Sequence, residues 1–261
     1  MTATDVRPRL AEALASGAEL VGVVTKLVAP ALVEMCGHAG VDLVVLDTEH
    51  GPADTAELEH HLRAADSAGV PALVRVGSGD HREIQHALDA GAAGVVVPHV
   101  SDAAAAQRAV AAAHYPPLGR RGLALTTRAG HQSTIATVEA LQARARDTVV
   151  VVQIEDPAGV DAAASIAATD RVSAIWVGTN DLALELGVPG QLTHPAVQRS
   201  LGRVGDAIGS VDGPHRPVLM GIPADDRDAE RWRAVGASVL LYTIHGLLLP
   251  RLREVVAARR Q

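Results

Sequence analysis

Leu43-Val44-Val45-Leu46-Asp47-Thr48-Glu49-His50-Gly51-Pro52 is an apolar run that passes straight into two carboxylates and an imidazole and then stops at a Gly-Pro turn. An unbroken Leu/Val run is the pattern of a strand buried on both faces, as in a parallel sheet covered by helices, and Gly-Pro punctuates its end. Asp47, Glu49 and His50 are therefore predicted at the C-terminal end of a strand. Parallel α/β folds assemble their active sites there.

Working outward, 20–27 reads as a first strand and 30–39 as a short helix before Gly40. Asp54 with Glu57 three residues on has the form of a capping box, opening a helix over 55–68 that stops at Gly69. A strand over 71–76, a helix over 81–89 and a strand over 94–100 follow, and Asp102 caps an Ala-rich helix over 103–113. The stretch 114–132, with Tyr115-Pro116-Pro117-Leu118-Gly119-Arg120-Arg121-Gly122, is too long for an ordinary connection and too rich in turn residues for a helix, which marks a functional loop. The rest reads as helix 134–146, strand 148–155, helix 158–168, strand 172–178 and a polar break at Thr179-Asn180-Asp181. Pro195 then opens a helix over 195–209, and strand 217–222, helix 225–235, strand 238–244 and helix 246–258 complete the chain.

Eight strands each followed by a helix, at about 30 residues per unit, give the expectation of a single (β/α)8 barrel over 1–261. A doubly wound open sheet is the rival, but no G-x-G-x-x-G follows the first strand and no P-loop is present.

Composition agrees with one large soluble barrel. The chain has 261 residues, 48% of them hydrophobic, at a mean hydropathy of +0.17, and no apolar run reaches the ~18 residues of a membrane span. With 2% aromatics and no Phe, the core must be filled by Val, Leu, Ile and Ala, which suits a barrel interior. Met1-Thr2-Ala3-Thr4-Asp5 lacks the features of a secretory signal and the one cysteine, Cys36, allows no intramolecular disulfide, so the cytoplasm is the expected location. A net charge of −7 with scattered Lys and Arg gives no nucleic-acid footprint and turns the expectation to small-molecule partners.

In a barrel the strand ends share one mouth, which gathers Asp47, Glu49, His50, Arg75, His99, Gln153, Glu155, Gly178, Asp181 and His245. Glu155 and Asp181, on neighbouring strands, suit a hard divalent cation such as Mg2+ or Mn2+; the plainer reading is that both cap helices or pair with arginines. His50 is a candidate general base with Asp47, three residues earlier, as its orienter, since imidazoles titrate near neutrality. His60, His61, His81, His86 and His215 read instead as surface or helix residues. Arg75 closes an apolar strand and needs an anion: a substrate carboxylate or enolate, or an ion pair with Asp47 or Glu49.

Asp47-Thr48-Glu49-His50-Gly51-Pro52, Val74-Arg75, the Tyr115–Gly122 segment, Gln153-Ile154-Glu155 and Gly178-Thr179-Asn180-Asp181-Leu182 with Leu186-Gly187 together resemble successive signatures of the HpcH/HpaI family of metal-dependent (class II) pyruvate aldolases. The resemblance runs from about residue 20 to the C-terminus. It implies that Glu155 and Asp181 hold the divalent metal (Mg2+ or Mn2+, with Co2+ a further fit), that Arg75 steadies the pyruvate enolate, and that His50, oriented by Asp47, is the acid/base. Gln153 would sit near the metal, and backbone amides of Gly178, Thr179, Asn180 and Asp181 would receive the substrate carboxylate. Relative to the usual family pattern, Thr179-Asn180 replaces Pro followed by Ala or Ser, and Thr243-Ile244-His245 replaces Gly-x-Asp.

The activity implied is cleavage or formation of a 4-hydroxy-2-oxo acid from a 2-oxo acid and an aldehyde. Oxaloacetate decarboxylation or citrate-synthase-like carboligation is the alternative within the superfamily, and a non-catalytic binding barrel the alternative outside it. Lys26, at the end of the first strand, is the rival Schiff-base residue. The apolar segment Leu247-Leu248-Leu249-Pro250-Arg251-Leu252, with Val255 and Val256, asks for a partner surface, and the family pattern implies a homohexamer, a trimer of dimers sharing C-terminal helices.

Overall fold

The computed structural model describes residues 6–52, 54–135, 137–213 and 216–259; His215 and the segment 1–5 lie outside the described residues. Eight parallel strands close into a barrel in chain order: β1 Leu20–Thr25, β2 Leu43–Asp47, β3 Ala72–Arg75, β4 Gly94–Val97, β5 Val149–Ile154, β6 Ala174–Val177, β7 Val218–Gly221 and β8 Ala237–Thr243. Around it run α1 Arg7–Ala15, α2 Pro30–His38, α3 Thr55–Ala68, α4 His81–Asp89, α5 Ala103–Ala113, α6 Val138–Arg144, α7 Pro157–Asp161, α8 Ala163–Ala167, α9 Thr179–Glu185, α10 Pro195–Gly209, α11 Asp226–Ala234 and α12 Ile244–Ala258. The expected (β/α)8 barrel is the observed fold. None of these helices is long and apolar enough to cross a membrane.

Side chains alternate between the two faces of a strand, so parity sorts each one between the barrel interior and the helix layer. Leu43 and Val45 of β2, Leu73 of β3, Val149 and Val151 of β5, and Ala174 and Trp176 of β6 belong to the interior cluster. Their neighbours Val44, Leu46, Val74, Val150, Val152, Ile175 and Val177 pack outward against the helices. Branched aliphatics on both sides explain how the chain builds its core without Phe.

The capping signals fold as read. Asp54 accepts hydrogen bonds from the Ala56 and Glu57 amides at 2.9 Å, Asp102 accepts from Ala105, and Gly69 ends α3 in the left-handed region at φ 68°.

The structure departs from the sequence reading in five places. Helix α1 was not foreseen: Val6 makes no side-chain cap to announce it, and its Leu10 and Leu14 plug the N-terminal end of the barrel interior. Strands end earlier than expected, β2 at Asp47 and β4 at Val97, because amides just beyond them turn from the ladder to carboxylates. Glu49 and His50 donate to Asp47 Oδ1 at 3.2 Å each, and His99 donates to Glu155 Oε2 at 3.0 Å. The helix expected over 134–146 shrinks to α6 and a 3-10 turn, since His131, Gln132 and Ser133 have positive φ and Thr137 supplies the cap. The helix over 158–168 divides into α7 and α8 at Ala162, and the polar break at Thr179-Asn180-Asp181 is instead the first turn of α9.

Candidate active site

Continuing the interior parity past the apolar layer gives Asp47 after Leu43 and Val45, Arg75 after Leu73, Gln153 and Glu155 after Val149 and Val151, and Gly178 after Ala174 and Trp176. The same alternation that fills the core therefore delivers polar side chains to the C-terminal mouth. Register then decides which of them meet. Asp47 pairs with Arg75 across β2 and β3, and Gln153 with Trp176 across β5 and β6.

Asp47 holds Arg75 with both oxygens, Nε to Oδ1 at 3.0 Å and Nη2 to Oδ2 at 2.6 Å. Glu49 Oε2 lies 3.2 Å from Arg75 Nη1 without hydrogen-bond geometry, and the guanidinium sits 5.3 Å above the Trp176 ring. Arg75 Nη1 also reaches Gln153 Oε1 at 3.5 Å, while Gln153 Nε2 donates to Glu155 Oε1 at 2.5 Å. A buried chain of contacts thus links β2, β3 and β5. Burial works against ionised Asp47, but hydrogen bonding and charge from Arg75 outweigh it and hold the carboxyl below the usual range.

Glu155 is in the opposite state. Burial raises its pKa, the charges of Glu49 and Asp181 raise it further, and the His99 N–H and ring oppose them only in part. Carboxylates crowded in this way suit a hard cation. No group of three or more His, Cys, Asp or Glu among the described residues has the arrangement of an all-protein metal cage. A Mg2+-type site held by one or two carboxylates, completed by water and substrate oxygens, needs none. Glu155 and Asp181 fit it.

Gly178 leaves the room that Glu155 occupies. A Cβ there would lie 2.6 Å from Glu155 Oε1 and 2.9 Å from Gln153 Nε2. Its amide donates to Ile154 O at 2.9 Å, so it is not available to a substrate carboxylate as expected from sequence; the unpaired amides at this point belong to the first turn of α9. Gly178→Ala is expected to displace the Glu155 carboxylate and weaken Mn2+ affinity roughly 10- to 100-fold, checked by calorimetric titration.

Asp47, His50, Arg75, Gln153, Gly178, Thr179, Asn180 and Asp181 line one cavity of about 280 Å3, together with Lys26, Trp176 and His245. Glu155 touches the lining residue Gln153 without lining the cavity itself, and a second correction joins the one at Gly178. Asp47 does not orient the His50 ring: Arg75 occupies both its oxygens, and it reaches His50 only through the backbone amide. The imidazole lies out of interior parity, 55% exposed, with Nε2 3.7 Å from Glu49 Oε2. His99, left-handed at φ 55°, bridges Glu49 Oε1 at 3.3 Å and Glu155 Oε2 at 3.1 Å. Sequence reasoning assigned no part to Trp176; its parity two residues before Gly178 was the available signal.

The HpcH/HpaI aldolase/citrate lyase family model matches residues 21–230. The chain is 35% identical over 227 residues, 87% of its own length and 88% of the relative's, to the 5-keto-4-deoxy-D-glucarate aldolase of Salmonella paratyphi C (strain RKS4594). Its fold is similar to that of an HpcH/HpaI aldolase/citrate lyase family protein from Burkholderia cenocepacia J2315, with a TM-score of 0.89 and 30% identity, covering 97% of this chain and 99% of that one. Citrate synthase SbnG gives a TM-score of 0.85 and 28% identity, covering 97% of each chain. The matched region holds the strand-to-loop junctions of β1 to β7 and the five motifs quoted above, and it sets aside the non-catalytic barrel. The chain belongs to the HpcH/HpaI aldolase/citrate lyase family and is an enzyme of the carbon–carbon lyase class.

Proposed function

We propose that this enzyme is a metal-dependent aldolase that cleaves, and in reverse forms, a 4-hydroxy-2-oxo acid, with pyruvate as the 2-oxo product. The observation that carries the reading is the placement of Arg75, clamped by Asp47, in one mouth with the Glu155 and Asp181 carboxylates. Glu155 and Asp181 would hold the divalent cation, Mg2+ or Mn2+ first. When bound, it supplies Lewis-acid polarisation of the 2-oxo carbonyl.

The chain's own groups account for the rest. His50, directly or through water, takes the proton from the C4 hydroxyl; the C3–C4 bond breaks, the C4 fragment leaves as an aldehyde, and the bonding pair passes into the enolate of pyruvate. Arg75 stabilises the charge that develops on the enolate oxygen, from a position already fixed before substrate arrives. Gln153 holds Glu155 in place, and the first-turn amides at Thr179, Asn180 and Asp181 are assigned to the substrate carboxylate. The proton held by His50 then passes, through water, to C3, which releases pyruvate and restores the base.

Lys26 and His245 are assigned to the acceptor side. Val24 and Thr243 pair across β1 and β8, so these two residues lie two positions beyond a register pair, and both line the cavity. Lys26 has no ion pair among the described residues, which favours an acceptor carrying an anionic group. The glucarate-type substrate named for the Salmonella relative is the first to assay, by coupling pyruvate release to a dehydrogenase. Turnover of oxaloacetate or citrate formation without any aldol cleavage would favour the carboligase reading instead, for which the likeness to citrate synthase SbnG speaks.

Arg75→Lys keeps the charge but loses the planar fork, and turnover is expected to fall ~10²-fold or more while pyruvate binding weakens less. Steady-state kinetics with a calorimetric pyruvate titration separate the two. Unchanged turnover would leave Arg75 as the partner of Asp47 and Glu49 alone.

Self-association is part of the proposal. On α12, Leu247, Leu248, Leu249, Leu252, Val255 and Val256 are each about half exposed, and Ile244 is its one buried residue. So large an apolar face on a terminal helix calls for a second copy. A hexamer is expected by light scattering, and a 26.9 kDa monomer would reject it. A cytoplasmic location completes the proposal, resting on the single cysteine.

A further inference from the structure

Lys26 follows β1 directly and lines the cavity at the mouth, and it is the only lysine in the chain. A lysine ammonium rides on a flexible four-carbon stem, so where it is held depends on how firmly the backbone beneath it is fixed. Burial does not fix this loop, since Leu27 and Val28 are 40% and 42% exposed. Helix α2 then opens at Ala29 without a side-chain cap.

Polar contacts fix the loop instead. Thr25 Oγ1 accepts from the Leu27 amide at 3.2 Å, and the Ala29 amide closes a tight turn on Leu27 O at 2.9 Å. A further contact comes from another unit of the barrel. His61, read from sequence as a surface or helix residue, stands on α3 and is 3% exposed. Its Nδ1 lies 2.6 Å from Glu57 O, which only accepts, so Nδ1 carries a proton. Nε2 lies 3.0 Å from the Ala29 amide and 3.1 Å from Leu27 O, and in the neutral ring it accepts from Ala29. The imidazole therefore ties the 27–29 turn to α3, the helix that follows the His50 loop. Lys26 meets that loop as well: a Cβ on Gly51 would lie 3.1 Å from Lys26 Cβ, so the bare glycine beside His50 lets the two segments touch.

We propose that His61 is a positioning residue for the acceptor: by holding the 27–29 turn against α3, it sets Lys26 at the distance from His50 at which the anionic group of an acceptor is bound. The proposal rests on the assignment of Lys26 to the acceptor side. Glutamine and asparagine separate the two contacts of the ring. A glutamine amide stands as many bonds from the backbone as Nε2 and can accept from Ala29, whereas an asparagine amide stands only as far out as Nδ1 and is left with Glu57 O.

The test is aldol addition of pyruvate, with Mn2+, to glyoxylate and to glycolaldehyde, two acceptors of equal length of which only the first is anionic. His61→Asn is expected to lower kcat/KM for glyoxylate about tenfold more than for glycolaldehyde, through KM, and His61→Gln to keep most of the wild-type preference. On a Lys26→Met background, His61→Asn is expected to add nothing to the lost preference. Equal losses with both acceptors would make His61 a structural residue and overturn the proposal. A second readout is independent of activity: reductive methylation with isotopically labelled formaldehyde marks Lys26 and the N-terminal amine alone, and both are followed by NMR. His61→Asn is expected to move the Lys26 methyl signal and His61→Gln to leave it in place. Should His61→Asn fold poorly, His61→Leu, which also lacks the contact to Ala29, takes its place in both measurements. A wild-type enzyme that uses neither acceptor, or whose preference survives Lys26→Met, would fail the acceptor assignment, whereas a Lys26 signal unmoved by loss of the Ala29 contact would overturn the part given to His61.

Discussion

Glu155→Ala is expected to abolish cleavage while the barrel still folds, and Asp181→Ala is expected to do the same. Glu155 is 3% exposed but its contacts are polar: it accepts from Gln153 Nε2 at 2.5 Å and from the His99 amide at 3.0 Å. Removing the carboxylate leaves those two donors short of a partner, at about 1–3 kcal/mol each, and relieves repulsion from Glu49 and Asp181 in return. The core, made by aliphatic residues lower in the barrel, is untouched. A thermal melt separates folding from function: Mn2+ should raise the melting temperature of the wild-type protein by mass action and leave that of Glu155→Ala unmoved. EDTA should mimic the variant in the activity assay. Full cleavage in exhaustively chelated protein would reject the class II reading and return attention to Lys26.

His50→Ala is expected to lower aldol cleavage by roughly 10²–10⁴-fold, the contribution of a positioned general base. Metal and pyruvate binding should survive, since the imidazole is half exposed at the rim and makes no contact with Glu155 or Asp181 in the hydrogen-bond network. Imidazole added to the buffer should restore part of the rate, because the vacated space opens to solvent. Asp47→Asn should behave differently from what the three-residue spacing to His50 suggests. Its carboxylate clamps Arg75, and breaking a buried pair costs about 3–5 kcal/mol, so the loss should show in stability and in the Arg75-dependent step. A His50→Ala enzyme that cleaves at the wild-type rate would move the base to His99 or His245.

Most of the fold was legible because its signals are local. Buried Leu/Val runs give parallel strands, and Asp54, Asp102 and Gly69 cap their helices as their side chains or φ allow. The site was legible to the extent that strand ends gather at one mouth. What sequence could not show was which polar groups meet there. Register pairs Asp47 with Arg75, not with His50, and nothing in a three-residue spacing reveals a partner across the sheet. Gly178 looked like a donor of its amide and is instead the space beside Glu155. Helix α1 escaped notice because Val6 supplies no side-chain cap to mark its start.

The most direct measurement is a calorimetric titration of pyruvate into the wild-type protein with Mn2+ and with EDTA, followed by borohydride treatment of each mixture and mass measurement. The expected result is pyruvate binding that requires the metal, is lost in Glu155→Ala, and leaves the protein mass unchanged by borohydride. Pyruvate binding of equal strength in EDTA, with a reduced adduct on Lys26, would contradict it.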